Sequence, residues 1–213
     1  MKATTLIFDL DNTLYSPKNG LWDALSQRIS DFMQFKMSIP QDKIESLRKN
    51  YRRSFGSTYQ GLKIQFSINE KEYLDYVHDI DLEQFISEDK NLCEILFELP
   101  QRKVIFTNAD QGHTNRVLKI LGVADHFDQI VDIQMTKPYC KPQIGAFITA
   151  LNHFREPFPH NCAFIDDSQL NLTIAKRMGF LCIEPWTSIS MPNDFVQLES
   201  IYDLFTFSFS SNK

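Results

Sequence analysis

Four short apolar runs constrain this chain more than any other feature. They lie at residues 4–8, 103–107, 162–165 and 180–183 and are rich in β-branched and aromatic side chains. Runs that are apolar throughout, rather than alternating, suit strands buried on both faces of a parallel sheet. Between and after the later runs lie helical patterns, at about 111–121, 143–153 and 168–178. Gly122 and Gly179 are placed to end the first and third of these, and Ser168 to cap the third. Pro142 suits the first position of the second. Strand, helix, strand in this rhythm predicts βαβ units and an α/β, Rossmann-like parallel-sheet core.

Residues of about 20–100 break that rhythm. Apolar residues recur at three- and four-residue spacing over 21–35, 41–54, 57–66 and 70–78. The chain therefore reads as a core, residues 1–16 and 90–213, with a helical cap inserted over 17–89. The insert begins just past a strand end, where open α/β sheets place their ligands. An insert there can form a lid.

The chain has 213 residues, enough for a core without disulfides or structural metal. Its formal charge of −5 argues against nucleic acid as a partner, which needs a basic surface. No stretch approaches the roughly 20 apolar residues that span a bilayer, so no membrane partner is expected. The first apolar run is stopped by Asp9 and Asp11, too early for a secretory leader. Cys93, Cys140, Cys162 and Cys182 show no CxxC spacing and read as free thiols. A cytoplasmic location is the expectation. GxGxxG, GxSxG and HExxH are all absent.

Polar groups follow the strand runs directly. Asp9-Leu10-Asp11-Asn12-Thr13 follows the first, Thr107-Asn108 ends the second, and Asp166-Asp167-Ser168 follows the third. Lys141-Pro142 is placed to open a helix. In a parallel sheet all of these reach the carboxyl-end edge, so four carboxylates and one lysine share a crevice. Two carboxylates ~4 Å apart repel by about 4 kcal/mol at an effective dielectric near 20. Such a group must take up protons or bind a cation. Oxygen ligands alone favour a hard ion, first of all Mg²⁺. With Lys141 as a second positive charge, the crevice can hold an anion beside a nucleophilic carboxylate. Phosphoryl transfer through an aspartyl-phosphate is the natural chemistry.

FDLDNTLY at 8–15, FTN at 106–108, Lys141-Pro142 and FIDDS at 164–168 resemble, in order, the four motifs of the haloacid dehalogenase superfamily of phosphatases. The resemblance covers nearly the whole chain. It implies Asp9 as nucleophile and Asp11 as general acid, then base. It also implies that Thr107, Asn108 and Lys141 hold the phosphoryl oxygens. Asp9, Asp167, the Asp11 carbonyl and Asp166, directly or through water, would bind Mg²⁺. Leu14-Tyr15, YRRSFGSTYQGL at 51–62, YLDYVH at 73–78 and FTNAD at 106–110 are similar to the pyrimidine 5′-nucleotidase branch. That branch implies a nucleoside monophosphate substrate, UMP or CMP. Other phosphomonoesters stand as alternatives: a sugar phosphate, phosphoglycolate or lysophosphatidate. A non-catalytic regulatory protein of this fold, or a mutase, is a more distant one.

Several residues have plainer readings. The basic run from Arg48 to Arg53 reads chiefly as a solvated helix face, with Arg52 or Arg53 as candidates to hold a nucleotide. Tyr59 is a further candidate in the insert. His78 and His113 read as structural, since aspartates already fill the acid–base roles. Cys140 adjoins Lys141, and a nearby cation can activate a thiol, so its oxidation is expected to inhibit. Cys162 and Cys182 read as small core hydrophobes. Residues 195–209 are apolar enough for a last helix or strand, and 208–213 read as a frayed tail. The sequence is compatible with a monomer or a homodimer.

Overall fold

Thr5–Phe8 forms β1, a strand whose side chains are all buried. Around it lie β2 (Arg102–Phe106), β3 (Gln129–Val131), β4 (Cys162–Ile165), β5 (Leu181–Glu184) and β6 (Val196–Gln197). The computed structural model describes residues 3–187, 194–207 and 209. Its strands make one sheet in the order β3-β2-β1-β4-β5-β6, every pairing parallel. The order turns back at β1, which has β2 on one side and β4 on the other. A crevice outside the strand ends is expected at such a point. Phe8 is level with Ile105 of β2 and Ile165 of β4. Asp9, Phe106 and Asp166 therefore stand at one height, Phe106 as the last residue of β2 and the two aspartates just past β1 and β4.

The chain divides into two units, Gly20–Phe85 and the remainder, Met1–Asn19 with Ile86–Lys213. The first is helical: α1 (Leu21–Asp31), α2 (Gln41–Phe55), α3 (Thr58–Phe66) and α4 (Glu70–His78). A wider π-helical turn, Phe32–Lys36, extends α1. Ser57 and Asn69 cap α3 and α4, accepting from the backbone N–H of Gln60 and Glu72. Arg48 corrects the solvated-face reading of the basic run. It lies in the buried stripe of α2 with Ile44 and Tyr51. Its guanidinium donates to Ser26 O, Ser26 Oγ and Ser30 Oγ at 2.7–2.8 Å. Those bonds tie α2 to α1. Arg52 and Arg53 are exposed.

The second unit holds the sheet together with α5 (Lys90–Glu98), α6 (Gln111–Leu121), α7 (Ile144–Phe154) and α8 (Gln169–Met178). Asp89, Asp110 and Ser168 cap α5, α6 and α8. Gly122 and Gly179 end α6 and α8 at φ 74° and 99°, which a side chain rarely adopts. Pro142 is not the first helical residue. It precedes α7, which starts at Ile144. Phe106, Phe147, Phe164 and Phe180 pack in one cluster against β4 and α8. Ring centroids lie 5.3 Å apart for Phe106–Phe147 and 5.4 Å apart for Phe147–Phe164. The phenylalanines fill the core at the sheet centre.

Residues 195–209 contribute both the short β6 and a 3₁₀ turn, Ile201–Phe205. Of the segment read as a tail, Phe209 is buried and its carbonyl accepts from Ala3 N. Residues 208 and 210–213 lie outside the described residues. Among the described residues no helix is long and apolar enough to cross a membrane.

Candidate active site

The turn after β1 places the first two aspartates. Thr13 N and Leu14 N both donate to Leu10 O. Asn12 takes φ 59°, a left-handed conformation that Asn tolerates better than most residues. Asp9 itself continues the sheet, its N–H donating to Ile165 O at 2.8 Å. Thr13 then bridges: its hydroxyl donates to Asp9 Oδ2 at 3.4 Å and accepts from Asp167 N at 3.2 Å.

Lys141 is the centre of the arrangement. It is 1% exposed, and its Nζ donates to Asp9 Oδ1 at 2.6 Å, Asp166 Oδ2 at 2.8 Å and Phe106 O at 2.8 Å. All three ammonium hydrogens are thereby used. Asn108 sets the backbone of Lys141: its side-chain amide donates to Lys141 O at 3.0 Å and accepts from Lys141 N at 2.9 Å. The Asn108 side chain is thus a positioning group. The Thr107 hydroxyl accepts from Ala109 N at 3.0 Å and is buried.

Asp166 is fully buried and well satisfied. Besides Lys141 it accepts from Ser168 N at 2.8 Å and from Asn171 Nδ2 at 2.9 and 3.0 Å. Asp167, at the start of the next loop, is more open. The carboxylates of Asp9, Asp166 and Asp167 bring ligand atoms within 4.8 Å of one another. Burial is the main reason the Asp9 carboxyl is held well above its usual range. Lys141 opposes this, while Asp166 and Asp167 add to it. Asp167 is pushed up to about 7, first by burial and then by Asp166, against Lys141 and a hydrogen bond from Asn12. Burial works against the Lys141 ammonium, but Asp166 and Asp9 outweigh it and raise its pKa.

Three carboxylates facing one ammonium leave excess negative charge in a poorly solvated place. The donors are all oxygen, and the Asn12 Oδ1 is a further buried acceptor without a partner among the described residues. This chemistry fits a hard divalent cation.

The Asp11 side chain stands apart from that cluster. Its Oδ1 accepts from Tyr15 OH at 2.6 Å and lies 3.0 Å from His113 Nε2. His113 is buried in the first turn of α6. Burial first, then Asp11, raises the Tyr15 phenol well above its ordinary range, so it stays a proton donor. Sequence reasoning treated His113 as structural and gave Tyr15 no role. Contact between His113 and Asp11 spans 102 positions, and no local pattern announces it. Tyr59 is buried in the helical unit with its ring centroid 5.3 Å from that of Tyr73.

Cys140 lies beside Lys141 in the fold as well as in the sequence. Its thiol is fully buried, and the neighbouring ammonium is turned to Asp9 and Asp166. Cys162 and Cys182 are buried thiols raised to about 12 by burial, in keeping with inert core residues.

A parallel sheet with an aspartate after its central strand, salt-bridged through one buried lysine to an aspartate after the next, defines a class of α/β hydrolases. The chain belongs to the haloacid dehalogenase-like hydrolase family, whose model matches residues 3–179. Phosphate metabolism protein 8 of Saccharomyces cerevisiae is 31% identical over 186 residues, 81% of this chain and 58% of that protein. The chain thus spans under two thirds of that relative's length. Among solved structures, the HAD hydrolase YfnB of Bacillus subtilis, bound to magnesium, aligns with a TM-score of 0.65 at 15% identity. That match covers 97% of this chain and 98% of YfnB. A HAD phosphatase from Thermococcus onnurineus aligns at 0.62 with 18% identity, over 97% of each chain. L-2-haloacid dehalogenase from Xanthobacter autotrophicus aligns at 0.58 with 13% identity, over 96% and 97%. At these identities the structural likeness speaks for the fold.

Proposed function

We propose that the chain is a Mg²⁺-dependent phosphomonoester hydrolase acting through an aspartyl-phosphate on Asp9, with a pyrimidine nucleoside 5′-monophosphate, UMP or CMP, as substrate. The observation that carries this reading is the Lys141 ammonium bridging Asp9 and Asp166 at the end of β1. Among the described residues it leaves Asp9 Oδ2 with only a long hydroxyl contact, from Thr13.

In the proposed reaction an Asp9 oxygen attacks phosphorus and the ester P–O bond breaks. Asp11 protonates the leaving alkoxide. The resulting Asp11 carboxylate then takes a proton from the water that hydrolyses the acyl phosphate. Proton transfers of this kind typically contribute ~10²–10⁴-fold. Tyr15 and His113 hold Asp11 Oδ1 from two sides and so orient the acid. Lys141 helps keep Asp9 ionised against its burial and offers charge to the phosphoryl oxygens. Asn108 fixes that lysine, and Thr107 shapes the loop beside it. Asp9 and Asp167, with Asp166 and the Asp11 carbonyl, would hold Mg²⁺. When bound, the ion supplies charge to offset that of the phosphate.

The dehalogenase relative shares the fold but not the inference. A second acidic residue two places after the first gives a proton donor for an alcohol leaving group. In the helical unit, the exposed Arg52 and Arg53 are the candidates for substrate recognition. The decisive experiment is phosphate release from a panel, with Mg²⁺ and with chelator, beside Asp9→Asn. The panel holds UMP, CMP, AMP, GMP, sugar phosphates, phosphoglycolate and lysophosphatidate. Preference for UMP and CMP is expected. Preference for a non-nucleotide ester keeps the mechanism and discards the substrate. No release from any ester, by folded protein with Mg²⁺, overturns the hydrolase reading itself.

A further inference from the structure

Away from the aspartate cluster, Cys93 of α5 meets His126. The Sγ–Nε2 distance is 3.2 Å, and both residues line one groove of about 750 Å³. The other walls include Ile95, Phe97, Tyr202 and Phe205, with Phe97 75% and Phe205 61% exposed. Cys93 is half-buried, whereas Cys140, Cys162 and Cys182 are at most 4% exposed. We propose that Cys93, with His126 as its base, is a covalent modification site for neutral, soft electrophiles carrying an apolar tail, of the α,β-unsaturated carbonyl class.

Three independent features support the assignment. The imidazole is placed to take the thiol proton, the arrangement that activates cysteine nucleophiles. Burial, with Lys103 nearby and Asp125 opposing, lowers the pKa of His126 below its ordinary value. The ring is then neutral near pH 7 and able to accept. Cys93 also sits in the first turn of α5, where the helix dipole favours an anion, although the Asp89 cap offsets part of that. Finally, the groove selects. Its charged lining residues are Glu94 and Glu98, which repel phosphates and other anions, while its aromatic walls take an alkyl chain.

The step balances without an oxidant. The thiol proton passes to His126 Nε2. Sulfur attacks the β-carbon and forms the C–S bond, and the C=C π pair moves to give an enolate. The enolate α-carbon then takes a proton back from the imidazolium, so the elements of S–H add across the double bond.

The test is intact-mass and peptide mapping of the full chain treated with 2-nonenal or with acrolein, each rate divided by that of the same aldehyde with glutathione. Adducts are expected on Cys93 first, with the long-chain ratio about tenfold above the short-chain one, as for burial of roughly two methylene groups. His126→Gln should lower the Cys93 rate about tenfold or more. Phe97→Asp, on an exposed wall where folding is not at risk, should abolish the preference for the long chain. The proposal fails if Cys93 reacts no faster than glutathione, shows no dependence on chain length, or is indifferent to His126→Gln.

Discussion

Lys141 brings a full positive charge into a place with almost no solvent, and Asp9 and Asp166 are the reason it can stay there. Removing one partner of a buried ion pair leaves the other uncompensated and typically costs 3–5 kcal/mol. Lys141→Met should therefore destabilise the sheet-bearing unit by about 3–5 kcal/mol in chelator, read from urea unfolding. Added Mg²⁺ should recover part of that loss, since a cation can replace the missing charge. An unchanged urea midpoint would show that the two aspartates do not need the ammonium. Asp9→Asn tests a different quantity. It removes the nucleophile but keeps the shape, so turnover should vanish while inorganic phosphate still binds, measured by calorimetry. Asp11→Asn should lower kcat by ~10²–10⁴-fold. His113→Gln should lower kcat more than it changes KM, because it acts through the orientation of Asp11. Equal loss in KM alone would instead place His113 in substrate binding.

At the scale of elements, the helical unit depends on one close approach. A Cβ on Gly61 of α3 would lie 2.2 Å from Tyr51 Cγ and 2.4 Å from Tyr51 Cβ, on α2. The obstruction is the root of the ring, which cannot swing aside. Gly61→Ala gains up to ~1 kcal/mol of helix propensity but overpacks the α2–α3 contact, at a cost of about 1–3 kcal/mol. Net destabilisation is expected in thermal unfolding followed by circular dichroism, and Tyr51→Ala in the same chain should remove most of the Gly61→Ala penalty. Which elements the sequence made legible follows from the same physics. β1, β2, β4 and β5 are long enough and apolar enough to stand out. β3 has three residues and β6 two, too few to show a period; nothing in the sequence marks β3, while β6 falls in the 195–209 segment that reads as a last helix or strand. α5 was missed although Leu92 and Leu96 recur at helical spacing after Asp89, because it falls where the insert rejoins the core. Of the site, Asp9, Asp166, Asp167 and Lys141 were legible because strand ends or a loop entry position them. The grip of Tyr15 and His113 on Asp11 is tertiary. Arg48 was hidden by its own charge: it occupies the buried stripe of α2, where hydroxyls and a carbonyl of α1 replace solvent.

For the molecule as a whole, the acidic cluster links stability to pH and to metal in opposite senses. Asp9 is raised well above the usual carboxylate range and Asp167 to about 7, in both cases chiefly by burial. A carboxyl raised in the folded state binds its proton more tightly there than in the unfolded chain. Its contribution to stability is complete below about pH 4 and is lost as pH rises through the folded value. In chelator, then, Asp167 makes the protein less stable as pH climbs from about 4 to about 7, and Asp9 adds a loss of the same sign. A bound divalent cation reverses the balance by favouring the ionised forms. It adds RT ln(1 + [L]/Kd), about 4 kcal/mol at a thousandfold excess over Kd. Asp167→Asn separates the two effects. In chelator at pH 8 the variant should be the more stable protein, by about 1 kcal/mol once solvent screening at this more open side chain is allowed for. At pH 5 the difference should shrink, since Asp167 is then largely protonated. In saturating Mg²⁺ at pH 8 the order should invert, because the variant has lost a ligand. Urea midpoints of both proteins at the two pH values, with and without metal, give the crossing directly. If Asp167→Asn is no more stable than the parent in chelator at pH 8, the carboxylates are not in conflict. The case for a cation drawn from that conflict then falls with it.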